Sequence, residues 1–194
     1  MPARLKAALA AVVLVVLLVG AQGTAALWRA QGAVEPGTVT TGNLVLFAGN
    51  GGTASASYAF SQLNTAALLP GGFVQAPLTI SNGGTTSLGY TLNGAATAPA
   101  VPKPADNALA AAAVLTIHAV TDPTACNAGQ ALDPAQALYS GPPSAGAVFS
   151  AAQVLPAKTG AQLLCVRVGL PATAPQSAAG GIMNLVLSFR GDQK

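Results

Sequence analysis

An all-β fold, an antiparallel sandwich with one or two short helices in its loops, is predicted by three features of the sequence. Short segments of alternating apolar and polar residues recur between Val39 and Arg190. Clusters of Gly, Pro, Asn and Ser separate them, as turns require. Charged residues make up only 7% of the 194 positions, and the chain is rich in Ala, Gly, Thr and Pro. That composition suits an exported sheet protein whose surface is covered by small polar side chains.

The strands are expected in order as follows. Val39–Phe47 places Leu44 and Leu46 on one face and Asn43 and Val45 on the other. Ser55–Phe60 follows. Phe73–Ser81 alternates Ala76, Leu78 and Ile80 against Thr79 and Ser81, and Ser87–Asn93 puts Leu88, Tyr90 and Leu92 on one face. Between these two, Asn82-Gly83-Gly84 offers positive φ at little cost, so they are expected to form a hairpin. Val114–Val120 turns Leu115 and Ile117 inward. Leu163–Leu170 sets Leu164, Val166, Val168 and Leu170 against Cys165 and Arg167. Ile182–Arg190 sets Met183, Leu185, Leu187 and Phe189 against Asn184, Ser188 and Arg190. Alternation with one polar face predicts antiparallel sheets packed on each other. Asp106 is expected to cap a helix over Asn107–Ala113, and Asp133-Pro134 to open a short one over Ala135–Leu138. Residues 95–104, rich in Ala, Pro and Thr, read as an extended surface loop.

The first 26 residues have a different character. Arg4 and Lys6 precede an apolar run from Ala7 to Val19, and small residues follow. This is the layout of a secretory signal peptide, with Thr24, Ala25 and Ala26 forming the cleavage region. A membrane anchor needs roughly 20 apolar residues, more than this run supplies, and no positive cluster follows it. The expected organisation is therefore residues 1–26 as signal peptide and 27–194 as one sandwich domain. Signal peptidase is then a partner during export, and the membrane is met only in transit.

Removing that leader changes the charge balance. Eight Lys and Arg less the two at Arg4 and Lys6 leaves six, against five Asp and Glu, so the formal +3 falls to near neutral. The remaining basic residues are scattered singly, without the basic patch and interleaved aromatics of a nucleic-acid binder. Cys126 and Cys165 are the only cysteines, an even number in an exported chain, and a structural disulfide is the natural reading. A metal or redox role would call for CxxC spacing or clustered histidines. His118 is the sole histidine and, beside the polar Thr116, reads as a partly exposed strand residue. No HExxH, no GxSxG and no glycine-rich phosphate loop is present, and the five carboxylates stand apart in sequence. No catalytic residue, metal site or cofactor is expected.

GTAALW at 23–28 and GTVTTGNLVL at 37–46 resemble the opening of the TasA/camelysin-like exported proteins, whose precursors carry the SipW-dependent type of signal peptide. LLPGGFVQAPLTISNGGTTSLGYTL at 68–92, LLCVRVGLP at 163–171 and GGIMNLVLSFRGDQ at 180–193 are similar to that family's later strands and ending. Members of this type also tend to carry a cysteine pair like Cys126 and Cys165. The chain departs from the family in placing Arg29 after Trp28, where an acidic residue is common, and in its long Ala/Pro loop. The resemblance implies a jelly-roll-like sandwich, secreted and used in cell-surface or biofilm-matrix architecture, with itself or other matrix proteins as partner. Residues 27–47, and Thr38, Val39, Leu44 and Leu46 in particular, then read as an assembly strand able to add to a neighbour's sheet. The alternatives are that Val39–Phe47 pairs within its own sandwich, and that the protein is a monomeric ligand- or carbohydrate-binding module.

Overall fold

The computed structural model describes Val12 and residues 43–50, 53–55, 60–63, 68–97 and 101–194. The β domain lies in the second of two units, Thr41–Lys194, the first being Met1–Thr40. It is an antiparallel β-sandwich, as the alternation predicted. Its strands are β1 (Leu46–Asn50), β2 (Thr53–Ser55), β3 (Phe73–Asn82), β4 (Leu88–Thr97), β5 (Val114–Val120), β6 (Tyr139–Gly141), β7 (Gln153–Leu155), β8 (Ala161–Gly169) and β9 (Leu185–Gln193). One sheet has six strands in the order β2-β1-β3-β8-β5-β6, and the other has three, β7-β4-β9.

The core lies between the sheets because both turn their apolar faces toward each other. Leu78, Ile80, Leu115, Ile117, Leu164, Val166 and Val168 come from the larger sheet, and Tyr90, Leu92 and Leu155 from the smaller, all buried. At roughly 1.5–3 kcal/mol for each fully buried large apolar side chain, this layer is the main stabilising term. Tyr90, Phe149 and Phe189 meet in a ring cluster, centroids 6.1–6.2 Å apart and tilted edge to face. The buried Tyr90 hydroxyl donates to Gln162 Oε1 at 2.6 Å, and Gln162 Nε2 donates to Gln153 Oε1 at 3.2 Å. Burial pushes the Tyr90 phenol well above its ordinary pKa.

Several sequence expectations need correction. The β3–β4 hairpin does not form: β3 and β4 lie in different sheets, and residues 83–87 arch between them. Neither Gly83 nor Gly84 has positive φ. Gly84 is required for another reason: a Cβ there would strike the Asn43 carbonyl oxygen. Of the expected Ser55–Phe60 strand, Ser55 closes β2 (Thr53–Ser55), Phe60 has no regular strand structure and residues 56–59 lie outside the described ones; Ser61–Leu63 forms a 3-10 turn. Asn43–Val45 precede β1 without regular strand structure, and residues 39–42 lie outside the described ones. β9 begins at Leu185, later than Ile182, and runs on to Gln193. Of the expected 95–104 loop, Ala95–Thr97 belong to β4, where Thr97 pairs with Leu185, and residues 98–100 lie outside the described ones. A bulge interrupts that ladder between Leu92 and Ala95, and Gly94, at φ +120°, supplies the backbone for it.

The helix is α1 (Pro104–Ala112), one turn earlier than predicted, with Lys103 at the N-cap. Asp106 is therefore a third-position residue and not the cap. Its Oδ2 accepts from the Lys103 N–H and its Oδ1 from the Ile182 N–H, both at 2.7 Å, so it joins the helix to the approach of β9. These two donors hold the carboxyl below the usual carboxylate range. Asp133 does cap Pro134–Gln136, a single 3-10 turn.

Candidate functional site

Two places on the sandwich carry more than packing requires. The first is the edge of the small sheet. β9 is nine residues long and, among the described residues, pairs only with β4. The other terminal strands, β2, β6 and β7, have three residues each. Short edge strands are one way proteins discourage unwanted pairing, and β9 lacks that protection. It contains no proline, and its only charges, Arg190 and Asp192, stand near its C-terminal end and pair at 2.9 Å. Leu185, Leu187 and Phe189 face inward yet are only partly buried against the core.

The described part of the expected assembly strand lies inside its own subunit. Leu46 is in β1, opposite Asn82 of β3, and packs against the core. Leu44 is exposed just before β1. The 83–87 arch holds this stretch in place. Thr85 N–H donates to the Asn43 carbonyl, Asn43 N–H to Thr85 Oγ1, and Gly83 N–H to the Val45 carbonyl, all at 2.9 Å. Asn82, 2% exposed, fixes the arch by donating to the Thr86, Leu155 and Pro156 carbonyls and accepting from Gly84 N–H. The same arch meets the end of β9, since Lys194 N–H donates to the Ser87 carbonyl. Asn43 and the end of β9 are thus held by one arch. Thr38 and Val39, like the cleavage-region residues Thr24, Ala25 and Ala26, lie outside the described residues.

The second place is the outer face of the large sheet, which residues 121–137 cross. Cys126 is bonded to Cys165 of β8, as the cysteine count suggested, and both are buried. The 3-10 turn Pro123–Cys126 lies against β3, β5 and β8. Gln75 Nε2 donates to the Asn127 and Gln130 carbonyls at 2.6 and 3.3 Å. Its Oε1 accepts from Arg167 Nε at 2.8 Å, and Arg167 Nη2 donates to the Gln130 carbonyl at 2.7 Å. The guanidinium also stacks on the Phe73 ring, 3.8 Å from its centroid. Gln75 and Arg167 were not singled out as a pair from the sequence; their one signal was a polar residue on the outer face of each strand.

His118 lies beneath the same cover. It is 4% exposed, not partly exposed as its polar neighbours suggested, and it stands opposite Cys165. Its Nε2 is buried with no hydrogen-bond partner among the described residues. Burial, then the nearby Arg167 charge, hold its pKa below the ordinary histidine value, while Asp133 acts in the opposite sense. The arrangement has neither a nucleophile nor a carboxylate hydrogen-bonded to the imidazole among the described contacts. Among the described residues no three His, Cys, Asp or Glu side chains gather as a metal ion would need. Nor is any described helix long and apolar enough to cross a membrane. The disulfide is consistent with an oxidising compartment outside the cytoplasm. No protein-family model matches the chain, and no curated protein is similar enough to count as a relative.

Proposed function

We propose that this protein is a secreted, non-catalytic structural subunit of a bacterial cell surface or biofilm matrix that assembles by strand addition at β9. The observation carrying this reading is the edge of β9, unpaired among the described residues, long, without proline and uncharged from Leu185 to Phe189. An extended segment laid there would gain backbone hydrogen bonds and cover the partly exposed inward side chains of β9. The donor is the chain preceding Asn43, containing Thr38 and Val39, because Leu44–Phe47 are held by the arch and β3 of their own subunit. Head-to-tail addition that does not close on itself gives filaments. The signal-peptide-like leader and the disulfide support export, and the resemblance to TasA/camelysin-like proteins supports the matrix role.

The test is to purify the protein from culture medium and follow its size by light scattering and negative-stain microscopy. Growing filaments are expected from the wild type. Deleting residues 27–38, or placing an inward-facing charge on the edge with Leu187→Lys, is expected to leave folded monomers. Filaments unchanged by both would overturn the role of β9. A wild-type protein that stays monomeric at every concentration would favour a binding module instead.

A further inference from the structure

The cover over the outer face of the large sheet is held by one covalent bond and a few polar contacts, with an ionisable group sealed beneath it. We propose that His118 is an acid-operated release for residues 121–137: a proton added to its buried imidazole frees this segment from β3, β5 and β8, leaving it attached through Cys126–Cys165.

Protonation turns the imidazole into an imidazolium. It carries two N–H donors and a full charge, and both are costly away from water without acceptors. His118 Nε2 has no acceptor among the described residues, and His118 itself is 4% exposed. The charged groups facing it are Arg167 of β8, which repels the added charge, and Asp133 of the covering segment, which attracts it. No ion pair joins His118 to either of them. Below His118 lies the sheet, which stays closed because its inner face is the core. The side that can open is the one above, where Cys126 sits over Cys165, the direct partner of His118 in the ladder. The polar tethers of that segment are the bonds from Gln75 and Arg167 to the Asn127 and Gln130 carbonyls. Water can replace each of them at small net cost. The disulfide cannot be replaced in this way, so the motion is a hinge about Cys126. Opening leaves Phe73, Gln75, His118 and Arg167 on an accessible polar and aromatic face.

The direction with pH follows from linkage. In the open segment the imidazole titrates near its ordinary value of 6.5, and in the closed one below it. Closure is therefore fully favoured above pH 6.5 and weakens as the pH falls below it, by up to about tenfold per pH unit, until the closed form is itself protonated. Amide hydrogen exchange of the intact secreted protein, from about pH 7.5 to about pH 4.5 and corrected for intrinsic rates, reads this directly. Protection of residues 121–137 is expected to fall below pH 6.5 while β3, β5 and β8 keep theirs. His118→Gln and His118→Phe are each expected to abolish that slope. A wild-type segment whose protection does not change with pH, or a slope that survives in both variants, overturns the proposal. Should neither variant fold, the wild-type imidazole resonances decide. Titration below the ordinary histidine value, with coincident shifts in the 121–137 amides, supports the release, and titration without those shifts sinks it.

Discussion

Asp106 makes a residue-scale point about reading polar positions. From the sequence it is a helix cap, and in the fold it is a fastener between two distant backbones, the Lys103 and Ile182 N–H groups. Asp106→Ala is expected to lower the thermal midpoint by a few degrees, because it unties the approach to β9 as well as the helix start. Since its carboxyl is held below 3.8, the wild type's advantage should be whole above that pH and shrink as the pH falls through the lower folded value. Melting curves of the two proteins across acid pH check this. Tyr90→Phe is a second case. It keeps the ring cluster but leaves Gln162 Oε1 without its 2.6 Å donor, and should cost about 1–2 kcal/mol in denaturant unfolding. His118 shows what a single position hides. Its place beside Thr116, opposite the inward Leu115 and Ile117, gave its face correctly, but a polar face is solvent-exposed only if nothing crosses it. The crossing segment is turns and irregular chain, for which periodicity says nothing.

At the scale of elements, the apolar alternation made most long strands legible. β5 has the expected bounds, and β3 and β8 differ by a residue or two at their ends. The three-residue strands β6 and β7 were not foreseen, since so few residues carry no period. The supposed hairpin failed for a physical reason. Asn-Gly-Gly marks a reversal, but a reversal within one sheet and an arch between two sheets use similar residues. The difference lies in Asn82, whose buried side chain binds the 155–156 backbone and turns the chain across the core. The disulfide is another element-scale device, linking residues 39 apart. Replacing both cysteines by serine is expected to cost about 3–4 kcal/mol in reversible unfolding. It should also loosen residues 121–137 selectively, because packing against three strands and three hydrogen bonds from Gln75 and Arg167 are the anchors that remain among the described residues. The place of β9 at the edge of the described small sheet could not be read from the sequence. Its residues alternate as any half-buried strand does, and being terminal is a property of the sheet.

Over the whole molecule, pairing follows the chain only rarely. Of the seven strand pairings among the described residues, β1–β2 and β5–β6 alone join consecutive strands. A sequence shows which residues face inward, but such distant pairings depend on how two whole sheets close over a shared core, so the topology was not legible. They also make folding slow compared with a helical domain of the same size, because long loops close before contacts reward them. The small sheet takes this furthest. β4 begins at Leu88, and its one long partner, β9, begins at Leu185. A polypeptide delivered N-terminus first through a translocon would complete the large sheet's strands by Gly169 while β4 still waited for its mate. Of the described strands β9 would emerge after all the others, so the edge proposed for assembly would form after the large sheet's strands had been delivered. On the export route proposed above, polymerisation at this edge would follow passage across the membrane and not precede it.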